Sequence, residues 1–451
     1  MGEQKSIATS RIARLASVGN LAFGFTTSLT KAAGRTVVGQ DRAKTAESFH
    51  RDAAQTLLST LAGMKGLPMK VGQLLSYVDD FVPETYRRIY GETLAALQVK
   101  AHPMRWNEIR GVMERDLGRN PESAFLDFDR APIAAASIGQ VYRATLRDGR
   151  KVAVKVQYPG IKDAIESDLK NLDLLRHALG LILPKVDVER SLADIVDRLR
   201  EECDYGCELC NQIEFAKIWR NDSQVLVPAM IEELCGEHVL VSELVSGDSF
   251  AEMLAGADQQ RKSAYGMVLF KFLFASLYCH GMFNADPHPG NYLFLPDGRV
   301  AFLDFGCVQR YGPDLVRSFH AARSGVLQGR RDGEFRALLR NAYGIPEDVD
   351  DEEWDFLIDY IACCMDPIRE DRLFRYDREY TEKLADVGMK GAMMGARKAM
   401  RKGIREAKAP GMVFLNRIQY GFASVLAAMQ AEANWYRLMA EIDALYLGAP
   451  S

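Results

Sequence analysis

The chain has 451 residues, 48% hydrophobic and 26% charged, with a formal net charge of −4; that is room for about three domain-sized units of ordinary globular composition. The acidic balance excludes broad nucleic-acid binding, which needs a basic footprint. Eight cysteines in so long a chain, with no secretory signal at its start, point to reduced thiols and a cytoplasmic setting rather than a disulfide framework.

Residues 1–40 are basic and rich in Gly, Ser and Thr, with Ile12, Leu15, Val18, Leu21 and Phe25 near helical spacing, a segment suited to facing a membrane. Met1-Gly2-Glu3-Gln4-Lys5-Ser6 fits the loose N-myristoylation pattern. No apolar run reaches the ~20 residues that cross a bilayer. Ala46, Phe49, Ala53, Leu57 and Leu61 mark an amphipathic helix, and Gly66-Leu67-Pro68 breaks it. The next helix sets Lys70 beside Gly72 and Gln73 among apolar neighbours, and helical patterns run on to about Gly118, so 41–121 forms a helical extension.

The pattern changes at Leu126. Residues 122–245 carry a strand after Ala134-Ala135-Ala136-Ser137-Ile138-Gly139-Gln140-Val141, a turn at Asp148-Gly149, and Lys151–Val156. Asp-Gly between alternating apolar runs is a hairpin signal. A charged helical insertion, 160–220, interrupts the sheet; short strands at Val225–Val227 and Val239–Leu244 follow, then a hinge, Val245-Ser246-Gly247. Residues 246–451 are mostly helical, apart from a hairpin of Tyr292–Phe294 and Val300–Leu303 around Asp297-Gly298. A small antiparallel sheet followed by a helical half gives an α+β, two-lobed fold.

Asp286 and Asn291 stand five positions apart, and Asp304-Phe305-Gly306 follows after the hairpin. That order is the kinase catalytic loop and its metal-binding Asp. Phosphoryl transfer mostly needs positioning and charge neutralisation: Asn291 and Asp304 would hold Mg²⁺ against the phosphates of ATP or ADP, and Asp286 would face the acceptor. Lys155, in Val152-Ala153-Val154-Lys155, matches the strand lysine that binds phosphates. Ala134, Ala135, Ala136, Ser137, Gly139 and Val141 occupy the register of the Gly-rich loop, with two glycines replaced by alanine. Forcing alanine into left-handed geometry costs ~1–2 kcal/mol, so this loop should hold nucleotide differently and turn over more slowly. Glu243 and Leu244, just before the hinge, complete the nucleotide-binding set. A helical glutamate should orient the lysine; Glu202, Asp204 and Glu208 are candidates, with Asp204 and Glu208 sharing a helix face. Cys203, Cys207 and Cys210 also fall on one helical face, but no second Cys/His pair stands near enough for a zinc site, so they read as packing thiols.

Lys70-Val71-Gly72-Gln73, the Ala-rich loop, Val154-Lys155, Glu202-Cys203-Asp204-Tyr205, Asp286-Pro287-His288-Pro289-Gly290-Asn291 and Asp304-Phe305-Gly306 together resemble the UbiB/ADCK family of atypical protein-kinase-like proteins, over roughly residues 10–320. The resemblance implies a kinase-like fold with a helical extension over the site. Lys70 and Gln73 would then regulate with Glu202 and Asp204, and Glu208 would partner Lys155. It also implies exclusion of protein substrates, Mg²⁺-dependent ATPase or small-molecule phosphotransfer, and a lipid or quinone-precursor partner in isoprenoid-quinone (ubiquinone) biosynthesis at membranes. Residues 330–451 match no motif of that family.

Two other functions fit parts of the pattern. Aminoglycoside and choline kinases use a similar Asp-x-His-x-x-Asn stretch, and a nucleotide-binding pseudoenzyme scaffold could keep the same residues. Peripheral membrane contact rests on 389–408, where Lys390, Arg397, Lys398, Arg401, Lys402, Arg405 and Lys408 mix with Met389, Met393, Met394, Met400 and Ile404 as in interfacial helices; a basic solvent loop fits equally well. Leu415, Ile418, Phe422, Val425 and Met429 repeat at the spacing of a core-packing helix.

Overall fold

The computed structural model describes residues 104–136, 138–169, 200–345, 347–388, 390 and 421–448. Lys70, Gln73, Ser137, Leu415, Ile418, the segment 1–40 and the stretch 389–408 (Lys390 apart) lie outside the described residues. The chain divides into two compact units, Met1–Leu209 with Met230–Leu244, and Cys210–Ala229 with Val245–Ser451.

In the first unit, helix α1, Trp106–Leu117, ends at Gly118, whose φ of 63° gives a left-handed cap. Strands β1 (Asp127–Phe128), β2 (Ala134–Ala135), β3 (Gly139–Thr145) and β4 (Lys151–Gln157) follow. β3 and β4 are antiparallel in continuous register from Gly139↔Gln157 to Thr145↔Lys151. Asp148-Gly149 closes the hairpin, and Gly149 takes a φ of 89° that a side chain would resist. Strand alternation puts Val152, Val154 and Val156 on one face, all fully buried against Ile109, Val112 and Met113 of α1. Lys151, Ala153 and Lys155 therefore occupy the opposite face.

Helix α2, Ile161–Leu169, follows β4, and helix α3, Tyr205–Trp219, begins in the first unit and continues in the second. After it come β5 (Val225–Leu226) and β6 (Val239–Glu243). β6 pairs antiparallel with β4 and completes the order β1-β3-β4-β6, with β2 on β3.

The second unit is organised by α4, Gln259–His280. Asp258 caps its first turn by accepting from the Arg261 N–H, and Gly281 ends it at a φ of 63°. An added Cβ on Gly281 would stand 2.5 Å from the Tyr311 carbonyl oxygen, so glycine is needed for contact as well as conformation. β7 (Met282–Asn284), β8 (Tyr292–Phe294), β9 (Val300–Phe302) and β10 (Val308–Arg310) follow. β8 and β9 form the expected hairpin around Asp297-Gly298, and β5 joins β9 in parallel. Phe302 stacks on Phe272 of α4 at 3.6 Å between ring centroids, fixing the hairpin to the helix.

Two strand pairs add to the expected elements: β7 with β10, and β11 (Phe374–Arg375) with β12 (Glu432–Ala433). The first encloses the whole Asp286–Gly306 segment between its strands. Phe422, Val425 and Met429 are buried in the core of this unit. Among the described residues no helix is long and apolar enough to cross a membrane.

Candidate active site

In the first unit the Ala-rich loop is an extension of the sheet. Ala134 pairs with Val141 and Ala135 with Gln140, and the Ala136 N–H donates to the Gly139 carbonyl at 2.8 Å. No alanine here has a positive φ; Gln430 is the single non-glycine residue with one among those described. This corrects the expected left-handed strain: the loop turns as a strand pair, and alanine sits in it without that cost. Ala134 and Ala135 are exposed, and Ala136 and Val141 half-buried.

Gly139 is buried at the start of β3. A Cβ there would lie 2.3 Å from the Val156 carbonyl oxygen and 3.1 Å from the Tyr205 hydroxyl. The glycine permits close strand approach in its own right, whatever it offers a phosphate. Gly139→Ala should therefore destabilise the first unit by about 1–3 kcal/mol, as overpacking does; chemical denaturation with a signal from this unit measures it.

Lys155 faces Val141 on one side and Leu240 on the other. Its Nζ donates to Glu208 Oε1 at 2.6 Å, with side-chain exposures of 18% and 3%, and lies 5.3 Å from the Tyr205 ring centroid. Desolvation makes such a pair rigid, because neither charge can leave the other without a penalty. Asp204 behaves differently from the expected shared face. It precedes the first turn of α3, is exposed, and accepts from the Cys207 N–H at 2.9 Å, as an N-cap does. Glu202 is half-buried at the end of the preceding helical stretch. Cys203 is likewise off the α3 helix and buried, and burial pushes its thiol up to about 11, whereas Cys207 and Cys210 are exposed. Glu243 is exposed, and the Leu244 N–H donates to the Lys151 carbonyl at 3.0 Å.

In the second unit, the chain between β7 and β10 holds Asp286, Asn291 and Asp304. Asn291 Nδ2 donates to the Asp286 carbonyl at 3.1 Å and to its Oδ2 at 3.2 Å. With the amide nitrogen turned to Asp286, the Asn291 Oδ1 necessarily points the other way. Asp304 Oδ1 accepts from the Gly306 N–H at 3.0 Å, a turn that fixes the carboxylate. An amide oxygen and a carboxylate are the hard oxygen donors that Mg²⁺ takes, so the residues fit the ion.

Sequence reasoning missed the polar side chains that set these segments in place. Asn284, nearly buried in β7, accepts from the Asp286 N–H at 3.2 Å through Oδ1 and donates from Nδ2 to the Asp304 carbonyl at 2.8 Å. Asn211 of α3, 3% exposed, donates to the Phe305 carbonyl at 3.0 Å. Phe305 is fully buried with its ring 4.9 Å from Phe215. The one available signal was an Asn inside the apolar run Met282-Phe283-Asn284.

The five-stranded sheet with its lysine–glutamate pair, and the helical unit with its Asp-Asn-Asp loops, define a kinase-like α+β protein. A model of the ABC1 atypical kinase-like domain matches residues 96–331, over half of the chain. The chain belongs to the ABC1 atypical kinase-like family. It is 31% identical over 336 residues to the mitochondrial atypical kinase COQ8B of Rattus norvegicus, an alignment covering 73% of this chain and 62% of that protein. To the mitochondrial atypical kinase COQ8 of Saccharomyces cerevisiae it is 29% identical over 346 residues, 76% of this chain and 68% of the other. The chain thus spans about 62% of the length of the rat relative. Among solved structures, the Rv3197–erythromycin complex from Mycobacterium tuberculosis matches with a TM-score of 0.59 and 26% identity, over 90% of this chain and 99% of that one.

Proposed function

We propose that this chain is a Mg²⁺-dependent ATPase or small-molecule phosphotransferase serving isoprenoid-quinone (ubiquinone) or related lipid metabolism, and not a conventional protein kinase. The observation that carries the reading is the desolvated Lys155–Glu208 pair at 2.6 Å, which holds an ammonium at a fixed point on the sheet. Lys155 binds the phosphates of ATP or ADP, with Ala134–Val141 and the Glu243-Leu244 strand end around the nucleotide. Asn291 and Asp304 hold Mg²⁺, whose charge offsets that of the phosphate oxygens. Asp286, oriented by Asn291 and Asn284, takes the proton of the attacking water or hydroxyl. Lys70 and Gln73, with Glu202 and Asp204, regulate the site.

The lipid or quinone-precursor partner and a peripheral membrane position rest on the family resemblance and on the basic stretch 389–408. Phosphate release from purified protein with Mg–ATP tests the chemistry, with Asp286→Asn as control. The amide keeps an oxygen for Asn291 but cannot take a proton, so turnover should fall about 10²–10⁴-fold, the usual contribution of a general base. Equal release from both proteins would remove the enzymatic reading in favour of a nucleotide-binding scaffold. Transfer to choline, a sugar or an aminoglycoside would instead replace the lipid assignment.

A further inference from the structure

We propose that Asn211 is a positioning residue for the metal-binding carboxylate of Asp304, acting through the Phe305 carbonyl and set in turn by Arg310 and Glu214. The inference rests on the metal role proposed above for Asp304 and adds what holds that carboxylate in place.

Asn211 is 3% exposed, and both ends of its amide are engaged. Nδ2 donates to the Phe305 carbonyl at 3.0 Å, and Oδ1 accepts from the Arg310 guanidinium at 2.8 Å. A buried amide bonded at both ends has one orientation, since a flip would set two donors and two acceptors against each other. Arg310 is the last residue of β10, and its other nitrogen pairs with Glu214 at 2.7 Å. Glu214 lies three residues beyond Asn211 on α3, so one helix presents both ends of the clamp on adjacent turns.

The clamp grips the loop at its critical place. Asp304 is tethered at its carbonyl by Asn284 and through Oδ1 to the Gly306 N–H, and the peptide that carries that N–H is the one whose carbonyl Asn211 holds. Rotation of the Phe305 peptide would carry the Gly306 N–H away from Oδ1 and release the carboxylate. Hydrophobic packing of Phe305 on Phe215 fixes the side chain but leaves that rotation open. A hydrogen bond to the carbonyl closes it.

Two variants test this. Asn211→Asp keeps the shape and the Arg310 contact but removes the donor to Phe305. Arg310→Ala, at a half-exposed position, removes the donor to Oδ1 and frees the amide to rotate. Hydrogen exchange of the nucleotide-free protein, read on a peptide covering 303–310, should accelerate about tenfold at Gly306 in Asn211→Asp and by a smaller factor in Arg310→Ala. The Mg²⁺ concentration giving half of the ATP-dependent rise in melting temperature, read as an increment over each variant's own nucleotide-free value, should increase about tenfold in Asn211→Asp. Exchange at Gly306 and a Mg²⁺ midpoint both equal to wild type in Asn211→Asp would overturn the proposal. If the wild-type chain shows no Mg²⁺-dependent response to ATP, the nucleotide reading falls, and the exchange measurement still decides whether Asn211 holds the loop.

Discussion

Asp304→Asn should erase the Mg²⁺-dependent rise in melting temperature that ATP or ADP confers on the wild-type chain. A ligand present at a hundred times its Kd adds about 2.7 kcal/mol to folding. For a unit of this size, ~1 kcal/mol moves the midpoint by about 2–4 °C, so the wild-type rise should be on the order of 5–10 °C. The substitution is mild locally. An amide oxygen still accepts the Gly306 N–H, and the Asn284 bond to the residue 304 carbonyl does not involve the side chain. What is lost is one negative charge and one hard oxygen at the proposed Mg²⁺ site, the property that selects that ion. The melting temperature without nucleotide should therefore stay near wild type while the Mg²⁺-dependent increment disappears. An increment equal to that of wild type would remove Asp304 from the metal assignment.

The parts of this protein that could be read in advance are those with a local cause. Both Asp-Gly hairpins were legible because a turn that needs positive φ stands between alternating apolar runs, and Gly149 and Gly298 adopt φ of 89° and 94°. The end of α1 at Gly118 was legible because glycine takes the left-handed cap that closes a helix. β7, β10, β11 and β12 were not, since strands of two or three residues show no period and no Asp-Gly turn joins these pairs as one joins β8 to β9. In the Ala-rich loop, motif register does not carry backbone geometry with it; Ala134 and Ala135 pair as a strand and never enter the left-handed region. Asp204 and Glu208 were placed on one face by spacing alone, but the helix starts between them, so one caps and the other is buried. Asn211 lies 94 residues from the carbonyl it holds, and no local pattern announces such a partner.

The Lys155–Glu208 pair offers the sharpest separation of stability from function. Glu208→Ala should cost about 3 kcal/mol, the low end of the ~3–5 kcal/mol for breaking a buried pair, because Lys155 at 18% exposure still reaches some water. Lys155→Met should cost more per charge left behind, since Glu208 at 3% exposure has almost none. The double variant Lys155→Met with Glu208→Leu removes both charges and fills the space with apolar volume, so most of the lost stability should return. Strong non-additivity is thus expected, with a coupling of about 2–3 kcal/mol in denaturant midpoints, within the range for residues in contact. The nucleotide response should not return with it. With the ammonium proposed to bind phosphate gone, neither Lys155→Met nor the double variant should show the ATP-dependent rise in melting temperature. Additive losses would mean that the pair contributes nothing as a pair. A double variant that is both restored in stability and responsive to Mg–ATP would show that Lys155 serves the sheet and not the nucleotide.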